Sequence, residues 1–143
     1  MIIYRLGIYI KLSYDVYGTG KLMEFLLMAV DLDSRRRELA VLARNKKLRV
    51  QAWSRDAPSD WRPTQVRNPN AEGLFFTDVG AWHFIADLLE DGHPLEEITL
   101  YQPPDARGYV MHVKLETGRP DLYIKLELRG GKVIGRSFHY SYA

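Results

Sequence analysis

The chain contains no cysteine, which excludes a disulfide framework and any thiolate metal site. It also lacks a long apolar run. Residues 1–11 are mostly apolar, but they are interrupted by Arg5 and Lys11, are too short to span a bilayer and lack a small-residue cleavage site. We expect a strand here and no export signal. Together with the missing thiols, this predicts a cytoplasmic protein with no membrane association.

Two common catalytic signatures are missing as well. Residues 18–21, Gly-Thr-Gly-Lys, have neither the spacing nor the hydroxyl residue of a phosphate-binding loop, and no Gly-x-Ser-x-Gly elbow occurs. Neither His83 nor His93 has a His or Glu at the metal-binding spacing i, i+4 on the same helical stripe. We therefore predict no metal and no cofactor.

The length and composition are those of one globular domain. The chain has 143 residues, of which 27% are charged and 46% apolar, and this balance argues against a disordered or membrane-spanning chain. We predict a single domain over residues 1–143. Met23 offers a second possible start, in which case residues 1–22 are a peripheral extension. Prolines and asparagines predict an extended loop over residues 54–73.

The net charge of +2 conceals a polarised distribution. Basic residues outnumber acids between positions 33 and 67, whereas residues 73–106 contain no lysine or arginine. Such segregation creates opposing surface fields that steer a polyanion to one side. Chance clustering on solvated faces is the alternative.

Two helices are expected upstream of the C-terminal sheet. Asp33 or Ser34 begins one that runs to Arg44, followed by a strand over residues 48–53; a hairpin over residues 38–53 is the alternative. Residues 21–30 are apolar without a period and fit either a strand or a helix. The clearest helix begins at Thr77 or Asp78 and ends before Gly92. Its buried face comprises Trp82, Ile85, Ala86 and Leu89.

The last thirty-five residues predict a three-stranded antiparallel meander. Apolar and polar residues alternate over residues 109–115 and 122–128, and glycine-containing turns follow each segment. A short strand over residues 98–101 precedes it. The predicted class is α+β: an antiparallel sheet ending in this meander, with one or two helices packed on one face.

Strand register places a basic row on the outer face. A two-residue loop at Gly130-Gly131 pairs Lys125 with Arg136, and a four-residue loop at 117–120 pairs His112 with Lys125. A second row beside it contains Lys114, Tyr123 and Phe138. This register puts Ser137 and His139 on the apolar side, unless a bulge rotates residues 137–140 by one position.

Two interpretations of the basic row remain open. Like charges on facing strands destabilise a sheet, so the row predicts a site for an anion. Alternatively, Glu116 and Glu127 lie diagonally near enough to neutralise it.

Residues 75–142 resemble the toxin endoribonucleases of bacterial toxin–antitoxin systems, the RelE and MqsR types. The resemblance rests on residues 109–115, 123–126 and 133–140, which suggest a helix ahead of a twisted sheet whose exposed face carries basic and aromatic side chains. It implies RNA cleavage without a metal and an antitoxin or other protein partner.

Metal-independent RNA cleavage needs a base for the 2′-hydroxyl, cations for the phosphorane and an acid for the leaving 5′-oxygen. Either His112 or His139 would transfer protons, because imidazole titrates near neutrality. The catalytic candidates are His112, Lys125, Arg136, His139 and Tyr140. The nucleic-acid-binding candidates are Lys114, Tyr123, Phe138, Trp61 and Arg62, where Trp61 has the alternative role of pinning its loop to the core. A non-catalytic module that docks a protein through the sheet face or the acidic helix is the alternative function.

Overall fold

The computed structural model describes residues 19–51 and 53–141, so the predicted N-terminal strand lies outside it. The elements are α1 (Thr19–Arg44), β1 (Arg49–Val50), β2 (Asp60–Trp61), a 3-10 helix (Pro63–Gln65), α2 (Asp78–Glu90), β3 (Glu96–Thr99), β4 (Arg107–Val113), β5 (Leu122–Arg129) and β6 (Lys132–Tyr140). The predicted α+β class is confirmed. No helix within the described residues is both long enough and apolar enough to cross a bilayer.

The chain divides into two compact units after Arg35. In the first unit, the described residues are the helical segment 19–35. That segment exposes several large apolar side chains: Met23, Phe25, Leu27, Met28 and Val30. Residues 21–30, for which the sequence fits either a strand or a helix, are helical. The alternative hairpin over residues 38–53 is wrong, because α1 continues to Arg44. The helix begins at Thr19, earlier than the predicted Asp33 or Ser34. The sequence did not indicate this start, because residues 21–30 are apolar without a 3.6-residue period.

The second unit is built on one six-stranded sheet. Its strand order is β1-β6-β5-β4-β3, and β2 also pairs with β6. Strands β3 to β6 form consecutive antiparallel pairs, whereas β1 and β2 run parallel to β6. The predicted meander is confirmed, and the predicted short strand lies two residues earlier than expected.

The β5–β6 hairpin keeps its predicted register only as far as a bulge. Arg129 pairs with Lys132, and Leu126 pairs with Gly135, as the Gly130-Gly131 loop requires. The register then shifts, so Lys125 faces Ser137. The predicted Lys125–Arg136 pair is therefore wrong. The bulge that the sequence offers as an alternative is present, and it rotates residues 137–140 by one position.

The β4–β5 register differs by two residues from the predicted one. His112 pairs with Tyr123 and Val113 with Leu122, which leaves residues 114–121 as the connection. The expected pairing of His112 with Lys125 is wrong because the loop is longer than four residues. A slip of two keeps every side chain on its predicted face.

Aromatic side chains join α2 and β2 to the inner face of the sheet. The Trp61 ring centroid lies 4.9 Å from that of Trp82 and 5.4 Å from that of Phe138. Phe76 contacts Phe138 at 5.1 Å. Trp61 therefore pins the 54–73 loop to the core, and this loop carries β2 and the 3-10 helix. Only a glycine fits at position 135, since a Cβ there would lie 2.5 Å from an indole carbon of Trp61.

Arg44 joins the basic region of the sequence to the acidic helix α2. Arg44 donates hydrogen bonds to Asp87 and Glu90 of α2, and it lies 3.2 Å from His83. Arg44 thus pairs with two of the acidic side chains of α2.

Candidate functional site

Three rings lie in one row across the outer face of the sheet. His112 on β4 pairs with Tyr123 on β5, which pairs with His139 on β6. The ring centroids are 5.3 Å apart between His112 and Tyr123, and 5.5 Å apart between Tyr123 and His139. The bulge in β6 is what turns His139 onto this face. We call these three residues the ring row.

The two imidazoles of the ring row differ in their contacts. The Nδ1 of His139 lies 2.8 Å from the Tyr140 carbonyl oxygen, and its Nε2 lies 3.3 Å from an Asp60 carboxylate oxygen. Both ring nitrogens thus face oxygen acceptors, which favours a fixed ring. The His112 ring is exposed and makes no hydrogen bond within the described part of the chain. His112 is therefore the imidazole available to a ligand.

Tyr123 occupies the centre of the ring row. Partial burial, together with the nearby Glu96 carboxylate, raises the pKa of its phenol above the ordinary value. The hydroxyl is therefore protonated at neutral pH and can donate a hydrogen bond or a proton. No hydrogen bond to this hydroxyl is seen among the described residues.

Lys125 lies two residues beyond Tyr123 on the same strand and face. Its half-buried ammonium has no hydrogen bond or ion pair within residues 19–51 and 53–141. Burial lowers the pKa of Lys125, the charge of Arg136 lowers it further, and Asp60 opposes both.

Lys125 also lines a surface cavity of about 600 Å³. We call this cavity the Lys125 groove. Its other lining residues are Pro58, Ile98, Thr99, Leu100, Tyr101, Gln102 and Arg136.

Arg136 is a buried structural cation, contrary to the role predicted for it. Its side chain is 4% exposed and forms an ion pair with the buried Glu127 carboxylate. Its Nε donates to the Pro58 carbonyl and its Nη2 to the Gln102 carbonyl, both at 2.8 Å. The guanidinium thus joins the two walls of the Lys125 groove. It is neutralised within the protein, so it cannot act as an exposed phosphate-binding group.

Two predicted base-stacking residues pack against other aromatic rings: Phe138 is buried and Trp61 is half-buried. Phe138 is 0% exposed, because the bulge places it on the inner face. Trp61 stacks on Trp82 and Phe138, so its indole packs in the core. Phe138 therefore cannot stack on a base, which corrects its assignment, and the packing of Trp61 supports its alternative role of pinning the loop.

Three further candidates are not members of the ring row. The Tyr140 hydroxyl accepts a hydrogen bond from the Arg67 backbone N–H, and Tyr140 pairs with Leu122. It therefore alternates to the opposite face from His139, and its proposed catalytic role is not supported. Lys114 is exposed just beyond β4. Arg62 is exposed and forms an ion pair with Asp60.

Sequence reasoning missed Asp60 and the burial of Glu127. Asp60 reaches the ring row because β2 pairs in parallel with β6, a contact between distant segments that local pattern does not reveal. Glu127 was assigned to the solvated face. The predicted register places Glu127 near Arg136, and this was the available signal for its burial, since a carboxylate can be buried when it is paired with a cation.

Within the described residues, no three His, Asp or Glu side chains are grouped so that they could hold a metal ion. The chain matches no family model, no curated protein and no solved structure.

Proposed function

We propose that the outer face of the sheet binds single-stranded RNA and cleaves it without a metal ion. The observation that carries this proposal is the direct pairing of His112 with Tyr123, which sets an exposed imidazole beside a protonated phenol, with ring centroids 5.3 Å apart. A base and an acid at this spacing can flank one phosphodiester. An acid–base pair is identified first by whether its groups can reach the substrate and only then by their pKa values.

The reaction uses the substrate's own 2′-hydroxyl as nucleophile. His112 removes its proton, the 2′-oxygen attacks phosphorus, and the bond from phosphorus to the 5′-oxygen breaks. Tyr123 gives its proton to the leaving 5′-oxygen and recovers one from the imidazolium through solvent. The products are a 2′,3′-cyclic phosphate and a 5′-hydroxyl. DNA lacks this nucleophile, so the proposed activity is specific to RNA.

Lys125 supplies positive charge beside the phosphorane, because it lies two residues beyond Tyr123 on the same face of β5, at the adjacent phosphate of the bound RNA. Its ammonium is half-buried and makes no hydrogen bond or ion pair within the described residues, although the Asp60 charge favours it, so a bound phosphate would be its first direct contact with an anion. Electrostatic stabilisation of developing charge is usually the largest single contribution to such reactions. Arg136, which had been assigned this task, instead fixes the groove around Lys125.

A non-catalytic role in binding another protein is the second candidate. The exposed apolar side chains of residues 23–30 favour it, because contiguous apolar surface often marks a protein interface. An antitoxin is the partner that the family resemblance implies. This role predicts no cleavage of RNA.

Incubation of purified protein with a single-stranded RNA in EDTA tests the proposal. We expect fragments that end in 2′,3′-cyclic phosphate. His112→Ala and Tyr123→Phe should each slow cleavage by at least about 100-fold, the usual contribution of one acid or base. His83→Ala, an exposed histidine on α2, is the matched control and should cleave at the wild-type rate. Intact RNA after prolonged incubation with folded wild-type protein would remove the proposal.

A further inference from the structure

We infer that the Lys125 groove holds the nucleotide next to the cleaved phosphate, with that nucleotide's phosphate on Lys125 and its base against Tyr101. The inference rests on the proposed function for its place in the reaction. As a nucleotide site it can be tested separately. The observations that support it are the spacing along β5, the lining of the groove and the way its walls are held.

The spacing along β5 suits a chain of phosphates. Tyr123 and Lys125 lie on the same face two residues apart, which corresponds to about 6.6 Å along a strand. Neighbouring phosphates of an extended single strand are separated by a comparable distance. An RNA strand that places one phosphate at the ring row therefore brings the next one to Lys125.

The lining combines one cation with apolar and aromatic surface. Tyr101 is 96% exposed at the rim, and the side chains of Ile98 and Pro58 contribute apolar surface. A base has an apolar face that stacks on such a ring regardless of sequence. The cavity of about 600 Å³ lies within the range of small-ligand sites. Phosphate alone would not need the apolar walls.

The walls of the groove are fixed before any ligand binds. Arg136 donates hydrogen bonds to the Pro58 carbonyl on one wall and to the Gln102 carbonyl on the other, while Glu127 neutralises its charge. The incoming anion therefore meets a shaped site whose unpaired cation is Lys125. A phosphate bound there would offset the cost of holding the ammonium half-buried.

Titration of the full chain with 5′-AMP, 5′-UMP and inorganic phosphate, followed by backbone amide NMR, tests the inference. We expect both nucleotides to shift amides in β5 and in residues 98–102, and to bind more tightly than phosphate. Lys125→Gln should weaken all three probes about tenfold or more. Tyr101→Ala should weaken the nucleotides about tenfold while leaving phosphate unchanged. Lys132→Gln removes an exposed lysine at the β5–β6 turn and should change nothing.

The outcomes separate the groove from the chemistry. Nucleotide binding with this variant pattern, in a protein that leaves RNA intact, would keep the groove and remove the cleavage proposal. RNA cleavage with no detectable nucleotide binding, or with binding insensitive to Lys125→Gln, would overturn the groove and keep the cleavage proposal. Nucleotides that bind no more tightly than inorganic phosphate would overturn the assignment of the base.

Discussion

Removing the carboxylate of Glu127 should destabilise the fold severely. In Glu127→Ala, the Arg136 guanidinium, which is 4% exposed in the wild type, loses the carboxylate that pairs with it among the described residues. Breaking a buried ion pair from one side costs about 3–5 kcal/mol, because an uncompensated charge stays buried. A domain of this size has a free energy of unfolding of roughly 5–15 kcal/mol, so the loss is a large fraction of the total.

Thermal unfolding followed by far-ultraviolet circular dichroism measures this effect. A loss of about 4 kcal/mol should lower the melting temperature by roughly 10–20 °C. Glu116→Ala is the matched control, because Glu116 and Arg119 form an ion pair of 3.0 Å on the surface. Exposed pairs contribute less than about 1 kcal/mol, so this control should melt within a few degrees of wild type.

A double-mutant cycle identifies the cause. Glu127→Leu and Arg136→Met should each destabilise the protein, and the combined variant should lose less than the sum by about 1–3 kcal/mol. Strict additivity, or a Glu127→Ala variant as stable as Glu116→Ala, would refute the reasoning. Either result would mean that the guanidinium reaches water and does not depend on the carboxylate.

Three further predictions address packing, titration and chemistry. Gly135→Ala should cost about 1–3 kcal/mol in chemical denaturation, because its new methyl would overlap the Trp61 indole. By NMR, Lys125 should lose its proton below the ordinary lysine range. Replacing Arg136 by Met in the Glu127→Leu background should move that titration to higher pH, since a neighbouring positive charge is removed. Tyr123→Phe should abolish most RNA cleavage without lowering stability, because its hydroxyl makes no hydrogen bond among the described residues.

The packing prediction has a control variant, and the other two predictions have outcomes that would contradict them. Gly20→Ala adds a methyl where nothing lies within 4 Å, so it should leave stability unchanged or raise it by up to about 1 kcal/mol. An unaltered Lys125 titration in the double variant would contradict the assigned influence of Arg136. Equal loss of cleavage and of stability in Tyr123→Phe would indicate a structural role for the phenol.

Local pattern was sufficient for the elements that carry a period or a turn signal. The alternation in β4 and β5, the glycine pair before β6 and the capped α2 each specified their structure from nearby residues. Thr77 indeed caps α2 by accepting a hydrogen bond from the Gly80 N–H. These features depend on interactions within a few positions, which a sequence displays directly.

The site was less predictable because it depends on one departure from regular strand pairing and on contacts between segments that are distant in sequence. The bulge before Ser137 exchanges the faces of Phe138 and His139, and the only signal for it was the placement of two polar residues on the apolar side. The burial of Arg136 depends on carbonyls from Pro58 and Gln102, which are distant in sequence. Neither effect follows from the residues adjacent to it.

The two short parallel pairings on β6 impose an order on how the sheet can be completed. Arg49 pairs with Val133 and Asp60 with Ser137, so each joins positions more than seventy residues apart. Contacts of such long range slow folding, because the intervening chain must be confined before they form. On the ribosome, β1 and β2 have to wait for β6 to be synthesised. Until then, the Trp61 indole, which packs on Gly135 in the folded sheet, has no strand β6 to pack against. The nascent chain therefore exposes this apolar aromatic segment to chaperones and proteases.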